Sequence, residues 1–373
     1  MFSKKTSIKN AREFSSLVFL YLIIKTKCDT ILPVMETLVL KPNKKSIDLA
    51  CKLLRDGEVV GVPTETVYGL AGDAKNPIAI KKIFEAKGRP NDNPLIVHIS
   101  KMSMLKDVVS SVPLDAKKLA KAFWPGPLTI IMPRGSKVCD ETCAGLDSVG
   151  VRMPSNKIAR KIISKSGIFF SAPSANLSGK PSPTTAQDVF ADMNGRVPLI
   201  IDGGECKAGV ESTVVSVLGP TPIILRPGYI TKDDMEKVLH KEVKIAAAVT
   251  EGISKDEKVL SPGMKYKHYS PNAEIVIVKG SFEKYKKYVQ DNYKQGVYAL
   301  CFDEDVKALD CPALSYGKEK DAASQAHNLF NKLRELDTLG AKKVFARCPD
   351  IDGIGLAVYN RLIRAAGFNI IQL

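Results

Sequence analysis

The stretch VVGVPTETVYGLAGDAKNPIAIKKIFEAKGRPNDNPLIVHI, residues 59–99, decides the fold. Val59 to Val62 is a short apolar run that reads as a buried strand, and it runs straight into Pro63-Thr64-Glu65-Thr66. Ile80, Ile83 and Phe84 then fall at helical spacing, and the helix they predict ends in the basic turn Lys87-Gly88-Arg89-Pro90. Leu95 to Ile99 is apolar again and reads as a second strand. Strand, helix, strand is the grammar of an α/β domain.

The same alternation extends in both directions. Upstream, Ile47, Ala50, Cys51 and Leu54 keep helical spacing, with Ser46 as the expected N-cap and Gly57 as the stop. Downstream, strands are predicted at Leu128 to Met132, Val149 to Met153, Ile168 to Ser171, Leu199 to Ile201, Thr213 to Val217 and Ile223 to Leu225. Helices near 115–123, 157–165, 185–192 and 231–240 lie between them, which predicts a twisted mixed sheet. Around 245–271 the periodicity fades into a segment with two Ser-Pro pairs, two tyrosines and a histidine, composition that marks an interdomain connection able to fold over a surface as a lid. Strands at Glu274 to Val278, Gly296 to Phe302 and Lys343 to Ala346 then alternate with helices at 282–289, 319–336 and 357–366, which predicts a smaller α/β, Rossmann-like unit. The expected organisation is an N-terminal extension over 1–35, a main domain over 36–250, a linker over 251–271 and a second domain over 272–373.

Composition narrows the function classes. With 45% hydrophobic and 25% charged residues the chain is globular, not disordered. Lys and Arg exceed Asp and Glu by 55 to 40, and the resulting +15 favours anionic ligands such as nucleotides, phosphates or an RNA backbone. The eight cysteines form no CxxC pair, only Cys139 and Cys143 are close, and none of the four histidines adjoins them. That pattern disfavours zinc and favours reduced thiols in a cytoplasmic interior. The apolar run Leu17 to Ile24 is much shorter than the roughly 20 residues a membrane-spanning helix needs, so no membrane span is expected. The basic, acid-poor segment before Met35 is read as upstream read-through in preference to a secretory or organellar signal.

Several segments carry chemistry. No GxxxxGK[ST] is present, and Gly353-Ile354-Gly355 opens a GxGxxG-like run that lacks its third glycine, so a P-loop enzyme is disfavoured. Lys87 and Arg89 flank a glycine in a proline-stiffened turn: either a solvated basic turn, or a point charge and a planar fork set to neutralise phosphates. Ser171 to Pro183 collects hydroxyls after an apolar strand, and Thr185 with Asp188 predicts a capping box just beyond. Pro63 to Leu70 reads as an end-of-strand loop with two hydroxyls, a carboxylate and a phenol. The segments around Ser212 and Arg226 add a hydroxyl and a cation at strand boundaries. Arg152 lies amid apolar neighbours and needs a partner anion, either a ligand or an internal salt bridge.

Together PTETVYGL, KGRPNDNPLIVH, FWPGPLT, VGVRMP, SAPSANLSGKPSP, GVESTVV, LRPG and SPGMKYKHYSP resemble, in order, the motifs of the Sua5/YrdC/YciO family in its long Sua5 form. The resemblance covers about Glu36 to the C-terminus. It implies a YrdC-like α/β sheet domain joined to the smaller Rossmann-like one, and synthesis of L-threonylcarbamoyladenylate and pyrophosphate from L-threonine, bicarbonate and ATP with Mg²⁺. On this resemblance Lys87 and Arg89 are the catalytic pair, and Arg89, Asn93, Ser148, Ser174, Asn176, Ser182, Arg226 and Ser261 bind ATP. Thr66, His98, Arg152, the backbone at Ala172, and Ser212 bind L-threonine. It further implies a cytoplasmic nucleotidyltransferase whose product is passed to a tRNA threonylcarbamoyl transferase complex for modification at position 37 of ANN-decoding tRNAs, with a tRNA or double-stranded RNA contact as a further expectation. A carbamoyl-adenylate-dependent transferase and an RNA-binding module are the competing readings.

Overall fold

The computed structural model describes residues 35–91, 93–250 and 269–373. The expectations for residues 1–34, and for Ser261 and Tyr266 in the linker, lie outside the described residues. From Thr37 onward the chain carries strands β1 (Leu38–Leu40), β2 (Val60–Val62), β3 (Gly69–Asp73), β4 (Ile96–His98), β5 (Leu128–Pro133), β6 (Ser148–Arg152), β7 (Phe170–Ser171), β8 (Leu199–Ile201), β9 (Thr213–Ser216), β10 (Ile223–Arg226) and β11 (Lys244–Ile245). They hydrogen-bond in the order β1-β8-β2-β3-β7-β4-β6-β5-β9-β10-β11. Parallel pairs such as β4 with β6 alternate with antiparallel ones such as β5 with β6, so the sheet is mixed, as expected.

Helix α1 (Lys44–Arg55) starts one turn earlier than expected. Asn43 is the N-cap, and Ser46, at the third helical position, bonds back to it in a capping box. The correction has a simple cause: Asn and Ser cap equally well, and only the reciprocal bonding separates them. Helix α2 (Pro77–Lys87) is capped by the Asn76 side chain, starts on a proline, and stops where Gly88 adopts φ +60, a left-handed geometry only glycine takes without strain. Its buried Ile80, Ile83 and Phe84 pack with Leu70, Leu95 and Val189. Each such apolar side chain withdrawn from water contributes roughly 1.5–3 kcal/mol. Helices α3 (Leu114–Phe123), α4 (Lys157–Ser166), α5 (Ala186–Met193) and α6 (Lys232–Leu239) are the other longer helices of this half, and the predicted Thr185–Asp188 capping box opens α5.

The second sheet consists of β12 (Glu274–Lys279), β13 (Val297–Cys301), β14 (Ala313–Ser315), β15 (Lys343–Arg347) and β16 (Ile370–Gln372), ordered β14-β13-β15-β12-β16 with every pairing parallel. Ile275 to Val278 are all buried, the continuous apolar run of a strand covered on both faces. Helices α7 (Phe282–Asp291), α8 (Ala322–Thr338) and α9 (Gly355–Ala365) accompany it. Gly209, at φ +77, lies so close to α8 that an added Cβ would sit 2.4 Å from the Ala326 carbonyl oxygen.

Candidate active site

Sheet register brings the first group of side chains together. His98 on β4 pairs with Arg152 on β6, and Arg152 pairs in turn with Thr129 on β5, so the three share one face of the sheet. Arg152 is only 4% exposed, and its charge is met inside the protein. One Nη donates to Glu65 Oε1 at 2.7 Å and the other to the Thr66 hydroxyl at 2.9 Å. Of the two readings of Arg152, the internal salt bridge is therefore realised, while the same guanidinium also lines a cleft. Burial pushes the Glu65 carboxyl up, but the Arg152 charge and hydrogen bonds outweigh it and the net shift is downward. Glu65 Oε2 accepts from the Asn156 amide at 3.3 Å, so the acid is held at both oxygens.

His98 is stacked on Phe170 with ring centroids 5.7 Å apart, and its Nδ1 lies 3.1 Å from the Ile96 carbonyl. Burial, followed by the Arg152 charge, lowers the imidazole from 6.5 to about 3. A neutral ring against a carbonyl must carry its proton on Nδ1, which leaves Nε2 as a hydrogen-bond acceptor.

The second group forms around the end of α2. Lys87 is 3% exposed, so the solvated-turn reading does not hold for it. Its Nζ donates to the carbonyl oxygens of Ser174 and Asn176, the latter at 2.7 Å, and to Asn176 Oδ1 at 3.4 Å. Burial and then the Arg89 charge push the ammonium well below its ordinary value. Lys87 therefore shapes the Ser174–Asn176 loop directly. The Asn176 amide clamps the same loop by donating to the Leu177 and Lys180 carbonyls, both at 2.8 Å. Arg89 is half-buried, with Nη2 3.5 Å from the Asn93 carbonyl.

Both groups line one open cleft of about 750 Å³ of empty space. Thr66, His98, Arg152, Ala172 and Ser212 border it, and so do Lys87, Arg89, Ser174, Asn176 and Arg226. Tyr269, buried against Phe330 with centroids 5.1 Å apart, forms part of the wall. Arg226 donates to the Ser212 carbonyl and hydroxyl, each at 3.1 Å. Three expected ATP residues do not line this cleft. Ser182 donates to the cleft-lining Glu211 at 2.5 Å, and Ser148 borders a smaller cavity with Ile96, Ile131 and Leu146. Asn93 is fully buried, and neither polar atom of its side chain has a hydrogen-bond partner. Ile96 borders both cavities, which are therefore neighbours.

A family model described as "Telomere recombination", covering Sua5, YciO and YrdC proteins, matches residues 52–228. A second, described as "Threonylcarbamoyl-AMP synthase, C-terminal domain", matches residues 230–367. A threonylcarbamoyl-AMP synthase of Bacillus subtilis (strain 168) is 44% identical over 339 residues, spanning 89% of this chain and 96% of that protein. One from Pyrococcus abyssi is 43% identical over 333 residues, spanning 88% and 96%. The chain belongs to the Sua5/YciO/YrdC family, in the long Sua5 form.

The crystal structure of P. abyssi Sua5 complexed with L-threonine superposes on this chain with a TM-score of 0.83 at 40% identity, covering 91% of this chain and 99% of that one. The two family models meet near residue 229, whereas β11 still pairs with β10 in the first sheet of this Sua5 chain. Sequence reasoning did not assign Glu65 or Glu211 to the site. Glu65 stood in the quoted motif, but a strand-end carboxylate does not announce which cation it will meet. Glu211 lies in GVESTVV, and its partner Arg361 is 150 residues away.

Proposed function

We propose that this Sua5-type chain is a threonylcarbamoyl-AMP synthase, a nucleotidyltransferase that joins L-threonine, bicarbonate and ATP into L-threonylcarbamoyladenylate and pyrophosphate. The observation that carries the reading is the shared cleft: an arginine and hydroxyls able to grip an amino acid line it together with a basic turn and a hydroxyl-rich loop able to hold phosphates.

L-Threonine is read as lying against Arg152, Thr66, His98, Ala172 and Ser212. The Arg152 fork receives the carboxylate, and the unprotonated Nε2 of His98 accepts from the substrate's hydroxyl or amine. A site built to hydrogen-bond that hydroxyl discriminates strongly against an apolar analogue, because its own polar groups would be left unpaired. ATP is read as lying along Arg89, Ser174, Asn176 and Arg226, with its base toward the cavity bordered by Ile96, Ile131, Leu146 and Ser148. The unpartnered Asn93 amide, next to Pro94 of that cavity, has the donor and acceptor that an adenine edge requires. Ser182 contributes through Glu211, and Ser261 remains an expectation from the family motif.

The chemistry follows in two steps. The threonine amine forms a C–N bond to the carbon of bicarbonate and water leaves, giving N-carboxythreonine. An oxygen of the new carboxylate then attacks the α-phosphorus, and the bond to the β-phosphate breaks, releasing pyrophosphate. The chain's part is positioning and charge neutralisation, with Arg89 on the phosphates and Lys87 holding the loop that faces them. Among the described residues no three His, Cys, Asp or Glu side chains gather as a metal cluster. A Mg²⁺ ion bound with the triphosphate beside the Arg89 and Ser174 part of the lining would add positive charge at the phosphates.

We further read the product as the donor for a tRNA threonylcarbamoyl transferase complex, and the +15 charge as suited to a tRNA contact. Among the described residues no helix is long and apolar enough to cross a membrane. Cys51, Cys143, Cys206 and Cys301 are buried free thiols, which supports a cytoplasmic setting. The deciding test is pyrophosphate release from ATP and bicarbonate with each amino acid in turn. Release with L-threonine and not with L-valine is expected; release that ignores the amino acid would overturn the reading.

A further inference from the structure

Glu211 is a carboxylate on the wall of a cleft otherwise rich in cations, and the group that answers it comes from the other half of the molecule. Arg361, on α9, is fully buried. Its Nε donates to Glu211 Oε2 at 2.9 Å, one Nη to the Glu211 carbonyl at 3.3 Å, and the other Nη to the Pro227 carbonyl at 2.6 Å. The remaining carboxylate oxygen accepts from Ser182. Nearby contacts from α9 reinforce the junction: Asn360 donates to the Val249 carbonyl at 2.7 Å and Arg364 to the Ala248 carbonyl at 2.9 Å. The groups around Glu211 are thus Arg361 from α9, Ser182 from the hydroxyl-rich loop, Arg226 from β10 and Tyr269 at the start of the second half. Arg226 is itself engaged on Ser212.

We propose that Arg361 is a positioning residue for the nucleotide half of the cleft: it neutralises Glu211 and fixes its bond to Ser182, so the second sheet must be docked for a triphosphate to be held. This rests on the reading of the cleft as an ATP site. Without Arg361 the Glu211 carboxylate loses its bonded cation, and what remains beside it is the charge of Arg226, whose donors are turned to Ser212. An unbalanced charge in a low-dielectric wall acts on a polyanion far more strongly than the same charge in water. On the threonine side Thr66, His98 and Arg152 make no bond to Arg361, and Ser212, next in the chain to Glu211, is held by Arg226.

The test is calorimetric titration of the full-length chain with Mg·ATP and, separately, with L-threonine. Arg361→Met weakens ATP binding about tenfold and leaves L-threonine affinity within about twofold. The double variant Glu211→Gln/Arg361→Met removes both buried charges, and it recovers most of the ATP affinity lost by the single variant. A purely structural role predicts instead that ATP and L-threonine binding fall together in Arg361→Met and recover together in the double variant. Unchanged ATP affinity in Arg361→Met, parallel loss of ATP and L-threonine binding, or a double variant no better than the single one would each overturn the proposal. Should Arg361→Met fail to fold, Arg361→Lys serves instead: it keeps the charge and loses the fork, and is expected to lose less than about threefold in ATP affinity. A tenfold loss in that variant would count against a charge-based role. Wild-type pyrophosphate release, followed in parallel, tests the enzymatic activity separately, so the two failures are distinguishable.

Discussion

Arg152 is committed to the protein before any substrate arrives, through Glu65, Thr66 and a longer bond to the Gly126 carbonyl at 3.4 Å. A fork already held at several points loses little further freedom when it meets a carboxylate. Arg152→Lys keeps the charge and loses the fork, and is expected to weaken L-threonine binding about tenfold in a calorimetric titration. Arg152→Met strands Glu65 in the interior and should cost about 3–5 kcal/mol in denaturant unfolding. His98 makes a prediction about pH. Its folded value of about 3 lies below the ordinary 6.5, so between those values the unfolded chain binds a proton that the folded chain does not. Stability therefore falls as pH is lowered through that window. Urea unfolding at about pH 6.5 and about pH 5 should show a loss about 1.6 kcal/mol larger in the wild type than in His98→Asn. Its apolar neighbours in the sequence already marked Arg152 as needing an anion. It could not name Glu65, because the pairing crosses 87 residues and depends on how β6 meets the turn after β2.

The end of α2 and the loop from Ser174 to Lys180 behave as one part. Lys87 donates into the loop, and the Ser178 amide returns a bond to the Lys87 carbonyl at 2.9 Å. The two cations of the basic turn thus have different tasks. Lys87→Met leaves loop carbonyls buried without a donor, and each such group costs about 1–3 kcal/mol. It should lower the melting temperature and the turnover together. Arg89→Ala removes a half-buried side chain at the cleft, and should raise the KM for ATP while leaving the melting temperature within about 2 °C of wild type. A thermal-shift measurement beside steady-state kinetics separates the two. The strands with strong apolar runs, such as Leu199–Ile201 and Glu274–Lys279, were legible because burial on both faces leaves no other use for such runs. Gly69 and Leu70 fall in the segment expected to be an end-of-strand loop, yet they open strand β3, whose small residues have weak strand preference. Small residues suit the close seating of α2 on β3: a Cβ on Gly72 would lie 3.0 Å from Ile83 Cδ1 and 3.4 Å from the Ala79 carbonyl oxygen, so its neighbours would have to give way slightly. Propensity reports what a segment prefers alone, and here packing overrides it.

Two sheets were foreseeable from two runs of alternating strand and helix, but their joining was not. The bonds across the junction span long separations: Arg361 to Glu211, Arg334 to Asp192 at 2.7 Å, Asn331 to Glu205 at 2.8 Å. None belongs to a local motif, and in the sequence α8 looks like an ordinary polar helix. The junction is close as well as polar, because Gly209 admits the α8 backbone where any side chain would intrude on Ala326 and His327. Gly209 also adopts φ +77, so a β-branched residue would be strained there regardless of space. With buried charge pairs shared across the junction, neither half keeps its polar groups satisfied alone, and the two should unfold together. Scanning calorimetry of the wild type is expected to give one transition from Thr37 to the C-terminus. Gly209→Val pushes α8 away while leaving both sheets intact, and is expected to split that transition in two, with the earlier one accompanied by loss of ATP binding. A single transition at the wild-type temperature would mean that the sheets are joined by something other than this contact.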